Sequence, residues 1–249
     1  MEKRKVQEAV ERYLKREGAT SFEPKAALFD MDGVLYNSMP FHVRSWKAVA
    51  EKYHFDVRPE EFYMFEGQTG HDTISELFRR TFHRDATDEE IREIYHEKTQ
   101  LFSLYSTGEV MPGALDVLTC AKQTGFKIVL VTGSGQETLL DRINNNFPGF
   151  FTRERMVTAF DVQNGKPNPE PYLIGLKKAE ISSNQAVVIE NAPLGVQAAV
   201  AAHIFTIAVN TGPLPDDVLL GRGASLLYPN MKALADDWKN LFSIIHSLS

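Results

Sequence analysis

Short apolar runs alternate along this chain with longer stretches in which apolar residues recur every three or four positions. The runs at 25–29, 127–131, 156–158, 185–189 and 204–209 read as buried strands, and 226–228 as one more. The longer stretches read as helices over 113–124, 136–146, 193–200 and 231–247. Another helix runs from the Lys166-Pro167-Asn168-Pro169 turn to about Ala179. Strand alternating with helix predicts an α/β fold, a doubly wound parallel sheet covered on both faces. Two segments interrupt that rhythm. Residues 1–21, with Val6, Val10, Tyr13 and Leu14 at helical spacing and Gly18 as a stop, form an N-terminal helical extension expected to lie on its own domain, with a dimer contact as the alternative. Residues 37–106 are helical throughout, with helices from Ser38 to Tyr53 and over 59–65, 70–83 and 87–104. Thr87-Asp-Glu-Glu90 reads as a capping box for the last of these. The chain therefore divides into the extension, an α/β core of 22–36 plus 107–249, and a helical cap of 37–106 after the first strand. An insert beside a strand tip is a natural lid that excludes water.

Composition narrows the function. The 249 residues carry a net charge of −6 without a long basic run, which excludes a nucleic-acid binder that tracks phosphates. No apolar segment is long enough to span a bilayer, and Met-Glu-Lys-Arg-Lys lacks the apolar stretch of a signal peptide. A single cysteine, Cys120, excludes an internal disulfide framework and reads as a packing residue. The expected setting is cytoplasmic, and the expected state a monomer.

The candidate chemistry sits at the ends of the strands. The run Ala26-Ala-Leu-Phe-Asp30-Met-Asp32-Gly33 delivers two carboxylates two residues apart, so both can face one pocket. Like charges that close need a cation or a shared proton, and Mg²⁺ suits the need because it takes few carboxylate oxygens and leaves room for phosphate. Thr132-Gly133-Ser134, Lys166 and Glu190-Asn191 follow other strands or lie in the loops after them. Parallel strands bring such ends to one edge of the sheet, where α/β folds bind ligands.

These motifs, DMDGVL, VTGSG, GKPNPE and VIENAPLGVQAA, occur in an order that resembles the haloacid dehalogenase superfamily of phosphohydrolases, in its β-phosphoglucomutase-like branch. The resemblance covers residues 25 to about 235. It implies a Rossmann-like core with a helical-bundle cap, a Mg²⁺ cofactor and an aspartyl-phosphate intermediate. It makes Asp30 the nucleophile and a metal ligand. Asp32 becomes the general acid and base, its backbone carbonyl on the metal. Thr132, Gly133 and Ser134 bind the transferring phosphoryl group, Lys166 neutralises charge between it and Asp30, and Glu190 holds the metal directly or through water. His42, one turn before Trp46, is placed to help Asp32, while Asn37 and Ser38 contact phosphate or form the hinge turn.

Two departures shape the substrate expectation. Asn191 stands where relatives often carry aspartate, so the core offers the metal one charge less, although the Asn191 carbonyl can still ligate. Glu66 and Gly70 stand where sugar-phosphate mutases of this branch carry a lysine and an arginine. Loss of the arginine weakens the case for a bisphosphate intermediate. A Glu66 carboxylate over the metal suits a compact, highly charged substrate, and the Glu66/Asn191 pair resembles the inorganic pyrophosphatases of the branch. Pyrophosphate is therefore the expected substrate. A sugar-phosphate phosphatase, a β-phosphoglucomutase and a catalytically silent phosphate-binding protein are the alternatives.

Overall fold

The computed structural model describes residues 1–135 and 139–248; the first residues of the helix expected over 136–146 lie outside them. Six strands form the expected sheet: β1 (Ala26–Phe29), β2 (Lys127–Val131), β3 (Met156–Val157), β4 (Ala186–Glu190), β5 (Phe205–Val209) and β6 (Leu226–Tyr228). Their order is β3-β2-β1-β4-β5-β6, all parallel. The winding direction reverses between β1 and β4, which makes the tip of β1 the switch point where such sheets bind ligands.

Side chains alternate across the sheet. Ala27 and Phe29 of β1 face a cluster completed by helices α1 (Lys3–Glu17), α5 (Ala114–Gln123), α6 (Leu139–Asn146) and α10 (Met231–His246). Ala26 and Leu28 face the opposite cluster, with α7 (Glu170–Ala179) and α8 (Pro193–Ala201). The N-terminal helix lies on its own core. Val6, Ala9, Val10 and Tyr13 are buried, and the Tyr13 ring packs on Phe22 and Phe205. A fully buried valine alone stabilises by about 1.5–3 kcal/mol.

Between β1 and β2 come α2 (Met39–Tyr53), α3 (Gly70–Phe82) and α4 (Asp88–Tyr105), which enclose their own cluster around Trp46, Val49, Phe62, Leu77 and Ile94. The capping box at Thr87 forms: the Glu90 amide donates to Thr87 Oγ1 and the Thr87 amide to Glu90 Oε2. Two expectations need correction. The helix expected over 59–65 is a short 3-10 turn, Pro59–Tyr63, which its leading proline starts but does not extend. A short helix, α9 (Asp216–Gly221), was not foreseen, because six residues carry little periodicity.

Two linkers join this helical insert to the core. Tyr36 bridges Val110, and the Asn37 amide donates to the Glu109 carbonyl at 2.9 Å. Among the described residues no helix is long and apolar enough to cross a membrane.

Candidate active site

Asp30 is the first residue beyond β1, and the chain then turns at Gly33, whose φ of +81° favours glycine. Glycine is needed there for space as well: a Cβ would lie 2.0 Å from Asn191 Nδ2. Lys166 reaches up from the loop before α7 and is almost wholly buried. Its Nζ donates to Asp30 Oδ1 at 2.5 Å, to Glu190 Oε1 at 2.7 Å and to the Val131 carbonyl at 3.3 Å. The expected gathering of the ends of β1, β2 and β4 with the Lys166 loop is thus present. Thr132 follows β2, and its hydroxyl accepts the Ser134 amide at 3.1 Å. Gly133 and Ser134 line the cleft beside Asp30 and Asp32.

Glu190 is at the centre but already engaged. Its Oε1 accepts from Lys166 and from the buried Tyr172 hydroxyl (3.0 Å), and its Oε2 from the amides of Asn191 (2.7 Å) and Ala192 (2.8 Å). Two acceptor directions per oxygen are therefore used. Asn191 is different. Its Nδ2 donates to Glu66 Oε1 at 2.7 Å, while its Oδ1 is buried without a partner. Buried polar atoms normally find one, so an orphan here points to a missing electrophile or donor.

The helical insert supplies the other wall. Glu66 is buried over the core, and a Cβ on Gly133 would meet the Gly67 and Gln68 carbonyls at 3.2 and 3.3 Å. Asp32 accepts from Ser38 Oγ at 2.5 Å, and His42 Nε2 lies 3.2 Å from the same oxygen. Behind His42, Lys98 Nζ stands 2.7 Å from Nδ1. An ammonium only donates, so Nδ1 accepts and the ring proton sits on Nε2, facing Asp32. The chain Lys98–His42–Asp32 lies against Phe102, whose ring stacks on His42 at 4.1 Å.

Charge in the cluster is unbalanced. Burial pushes the Asp30 carboxyl up to about 8; Lys166 opposes that shift, and Glu190 and Asp32 add to it. Burial also lifts Glu66 well above the usual carboxylate range, against the Asn191 hydrogen bond. For Lys166 burial opposes the charge, but Asp30 and Glu190 outweigh it and hold the ammonium well above its ordinary value. Burial works to raise Asp32 too, yet His42 and Ser38 prevail and keep it low. Burial and the neighbouring Lys98 lower His42, and burial lowers Lys98 to about 8.

Such a surplus of carboxylate over the Lys166 ammonium suits a further cation. Among the described residues no three His, Cys, Asp or Glu side chains gather closely enough to hold a metal by themselves. A donor set that fits must draw on the orphaned Asn191 carbonyl and on backbone. Mg²⁺ tolerates that, since it keeps several waters and substrate oxygens in its shell.

One expected residue is not brought to the cleft. Asn37 Nδ2 donates to Glu109 Oε2 at 3.2 Å, so the side chain ties the two linkers together on the surface. The sequence reading missed Lys98, Tyr95 and Tyr172. A signal for Lys98 existed: it occupies the apolar stripe Ile91, Ile94, Tyr95, Leu101 and Phe102 of α4, where a solvated lysine has no place.

The profile of the haloacid dehalogenase-like hydrolases matches residues 27–209. Hexitol phosphatase A of Escherichia coli K12 is 30% identical over 187 residues, which cover 75% of this chain and 83% of that protein. Pyrophosphatase PpaX of Bacillus pumilus is 32% identical over 168 residues, 65% of this chain and 72% of its own. A solved Bacteroides vulgatus structure, provisionally described as a β-phosphoglucomutase, superposes with a TM-score of 0.94 at 53% identity, covering 98% of this chain and 99% of that one. The chain belongs to the haloacid dehalogenase-like hydrolases, close to their β-phosphoglucomutase-like phosphatases.

Proposed function

We propose that this protein is a Mg²⁺-dependent phosphohydrolase that works through an aspartyl phosphate on Asp30, with inorganic pyrophosphate as its preferred substrate. Asp30 Oδ2 attacks phosphorus, the bond to the leaving oxygen breaks, and Asp32 supplies a proton where the leaving group needs one. Water then attacks the aspartyl phosphate, Asp32 takes its proton, and Asp30 is released with inorganic phosphate. Lys166, on Asp30 Oδ1, offsets charge in both steps. The amides and hydroxyls of Thr132, Gly133 and Ser134 receive the equatorial oxygens. Asp30 through the carboxylate oxygen that does not attack, the Asp32 carbonyl, Asn191 Oδ1 and Glu66 would hold Mg²⁺. When bound, the ion supplies the positive charge that keeps Asp30 ionised at neutral pH and draws charge from the phosphoryl group.

The observation that carries the substrate is the buried Glu66–Asn191 contact at 2.7 Å, with the Asn191 carbonyl left free. A carboxylate sealed over the metal edge favours a compact, highly charged substrate. The cavity, about 80 Å³, agrees with that. So does the low-lying Asp32: phosphate is a far weaker base than a sugar alkoxide and leaves with less help. A second reading, a phosphatase of small phosphorylated carbohydrates, draws support from the aromatic wall of Trp46, Phe62 and Phe65 and from the likeness to a hexitol phosphatase. The test is phosphate release from pyrophosphate against a panel of sugar phosphates, with and without Mg²⁺, in the parent and in Glu66→Ala. We expect pyrophosphate to lead in the parent, and Glu66→Ala to lose turnover and need more Mg²⁺. A sugar phosphate ahead of pyrophosphate, or an unaltered Glu66→Ala, refutes the substrate assignment.

A further inference from the structure

The loop after β2 is tied on its outer side to the edge of the sheet. The Thr132 amide donates to the Val157 carbonyl at 2.9 Å, and the Ala159 amide to the Ser134 carbonyl at 3.1 Å. Ala159 opens a 3-10 turn, Ala159–Asp161, just beyond β3. A trans peptide aims its carbonyl and the next amide in opposite directions. With the Ser134 carbonyl drawn to Ala159, the Gly135 amide turns the other way, toward the hydroxyl of Tyr95, a residue that lines the cleft. Gly135 also packs on the turn: a Cβ there would meet Ala159 Cβ at 3.4 Å and the Phe160 ring at 3.5 Å.

The sheet itself gives Ala159 little support. β3 is an edge strand of two residues, paired with Leu130 and Val131 on one side. The restraint comes from Asp161. Its Oδ2 accepts from the Thr158 amide (2.9 Å) and the Thr158 hydroxyl (2.8 Å), which closes the turn around Ala159. Its Oδ1 accepts from Lys178 at 2.9 Å, and Arg153 reaches the two oxygens at 3.2 and 3.1 Å. Lys178 belongs to α7 and Arg153 to the turn before β3, and both also donate to the Met156 carbonyl. One carboxylate thus joins a core helix, the edge strand and the turn that grips the loop. Asp161 is not among the residues lining the cleft, so any effect it has on turnover must pass through the loop.

We propose that Asp161 is a positioning residue for phosphoryl transfer, acting through the Thr158–Asp161 turn and the Ala159 amide on the aim of the loop that receives the phosphoryl oxygens. The proposal rests on the hydrolase reading above but not on the choice of pyrophosphate.

Two variants cut the connection at different points. Asp161→Asn removes the charge that engages Lys178 and Arg153. Ala159→Pro removes only the amide proton, at the first position of a 3-10 turn after an extended Thr158, where proline fits. Asp237→Asn is the control: that carboxylate accepts the Tyr228 hydroxyl at 2.6 Å beside β6, the opposite edge of the sheet. Full-length proteins, at a temperature where all are folded, are compared in kcat and KM for acetyl phosphate and in the Mg²⁺ concentration that gives half the maximal rate. Inhibition by orthovanadate, which adopts the five-coordinate geometry of the transferring group, is measured alongside. Asp161→Asn and Ala159→Pro should each lose about tenfold or more in kcat and in vanadate affinity, with the Mg²⁺ requirement within about twofold of the parent. Asp237→Asn should keep both within about twofold, since distant sites act independently. Losses in the two variants no greater than in Asp237→Asn overturn the proposal, because lost stability alone then explains them. So does a full kcat in Ala159→Pro beside a reduced one in Asp161→Asn. If Ala159→Pro does not fold, Asp161→Asn against Asp237→Asn decides alone. Absence of phosphate release from both acetyl phosphate and pyrophosphate by the parent overturns the hydrolase reading, and this proposal with it. Turnover by the parent with kcat and vanadate inhibition unmoved in the variants sinks this proposal only.

Discussion

Asp30→Asn should abolish turnover and yet make the metal-free protein more stable. Burial raises the Asp30 carboxyl from its ordinary 3.8 to about 8. At pH 7 the unfolded chain carries that carboxylate ionised, so folding must either bind a proton or bury a charge among Glu190, Glu66 and Asp32. Each unit of such a shift is worth about 1.4 kcal/mol, so the full gap to neutral pH would be roughly 4 kcal/mol. Asparagine keeps an acceptor for Lys166 but gives up the ion pair with it, and we set the net gain on the order of 2 kcal/mol. In a chain of this size that raises Tm by roughly 4–8 °C. The sign with pH follows from the direction of the shift. A carboxyl raised in the folded state contributes full stability below its unfolded value and loses it as pH rises through about 8. The advantage of Asp30→Asn should therefore be small near pH 4–5 and widen steadily to pH 8. Mg²⁺ should narrow it, because an ion that binds only the folded parent adds RT ln(1 + [Mg²⁺]/Kd). Thermal melts in chelator from pH 5 to 8, repeated with added Mg²⁺, make the measurement. A variant that melts at or below the parent in chelator at pH 7, or a gap that does not grow with pH, refutes the reasoning.

Two other substitutions probe different parts of the structure. Lys98→Met keeps the side chain's apolar stem beside Trp46 and Phe102 and removes the ammonium behind His42; kcat should fall about tenfold or more, since an acid–base residue contributes at least that much. Burial lowers Lys98 to about 8, so its stability contribution is present above the unfolded value and lost as pH falls through 8; Lys98→Met should thus melt higher than the parent at pH 7 and lose that lead above pH 9–10. Asp161→Asn weakens a different carboxylate, which accepts from the Thr158 amide (2.9 Å), Lys178 (2.9 Å) and Arg153 (3.1 Å). Against burial, the hydrogen bonds from Lys178, Thr158 and Arg153 hold Asp161 well below its ordinary value, so its stability exists above pH 4 and disappears on acidification. Denaturant melts should show a deficit of about 1–2 kcal/mol for Asp161→Asn at pH 7 that starts to shrink below about pH 4 and closes only in stronger acid, and a deficit that grows on acidification would contradict the assignment.

The parts of the site that the sequence discloses are those fixed by the backbone. Asp30, Thr132 and Glu190 each close or follow a short apolar run, and parallel pairing of β1 with β2 and β4 puts those tips side by side whatever the side chains do. Lys166 is legible for a related reason, since two prolines restrict its loop. Roles that depend on how two separately built helical faces meet are not legible in this way. Asn37 and Ser38 are adjacent in sequence, yet the linker turns one out to Glu109 and the other in to Asp32. Tyr172 reads as an ordinary core aromatic of α7, and only the packing of α7 against the sheet brings its hydroxyl to Glu190. Tyr95 reaches the cleft only because Gly70, 25 positions earlier, leaves space for its ring.

On the proposed reading, the exchange that makes this chain unlike the mutases also moves charge from one half of the molecule to the other. Asn191 is neutral, and Glu190 is spent on Lys166, Tyr172 and two amides. With the helical insert lifted away, Asp30 and Asp32 are the core carboxylates left beside the site, Asp32 having lost Ser38 and His42, and Lys166 already offsets the charge of Asp30. Seating the insert adds Glu66 at the Asn191 amide and buries the whole group. Metal affinity and closure then share a free energy, and such coupling is reciprocal: whatever holds the insert down tightens the metal, and the metal holds the insert down. In a metal-free closed state an ionised Glu66 is disfavoured, because burial raises its carboxyl well above the usual range. Raising the pH without Mg²⁺ should therefore favour the open form, and Mg²⁺ should favour the closed one.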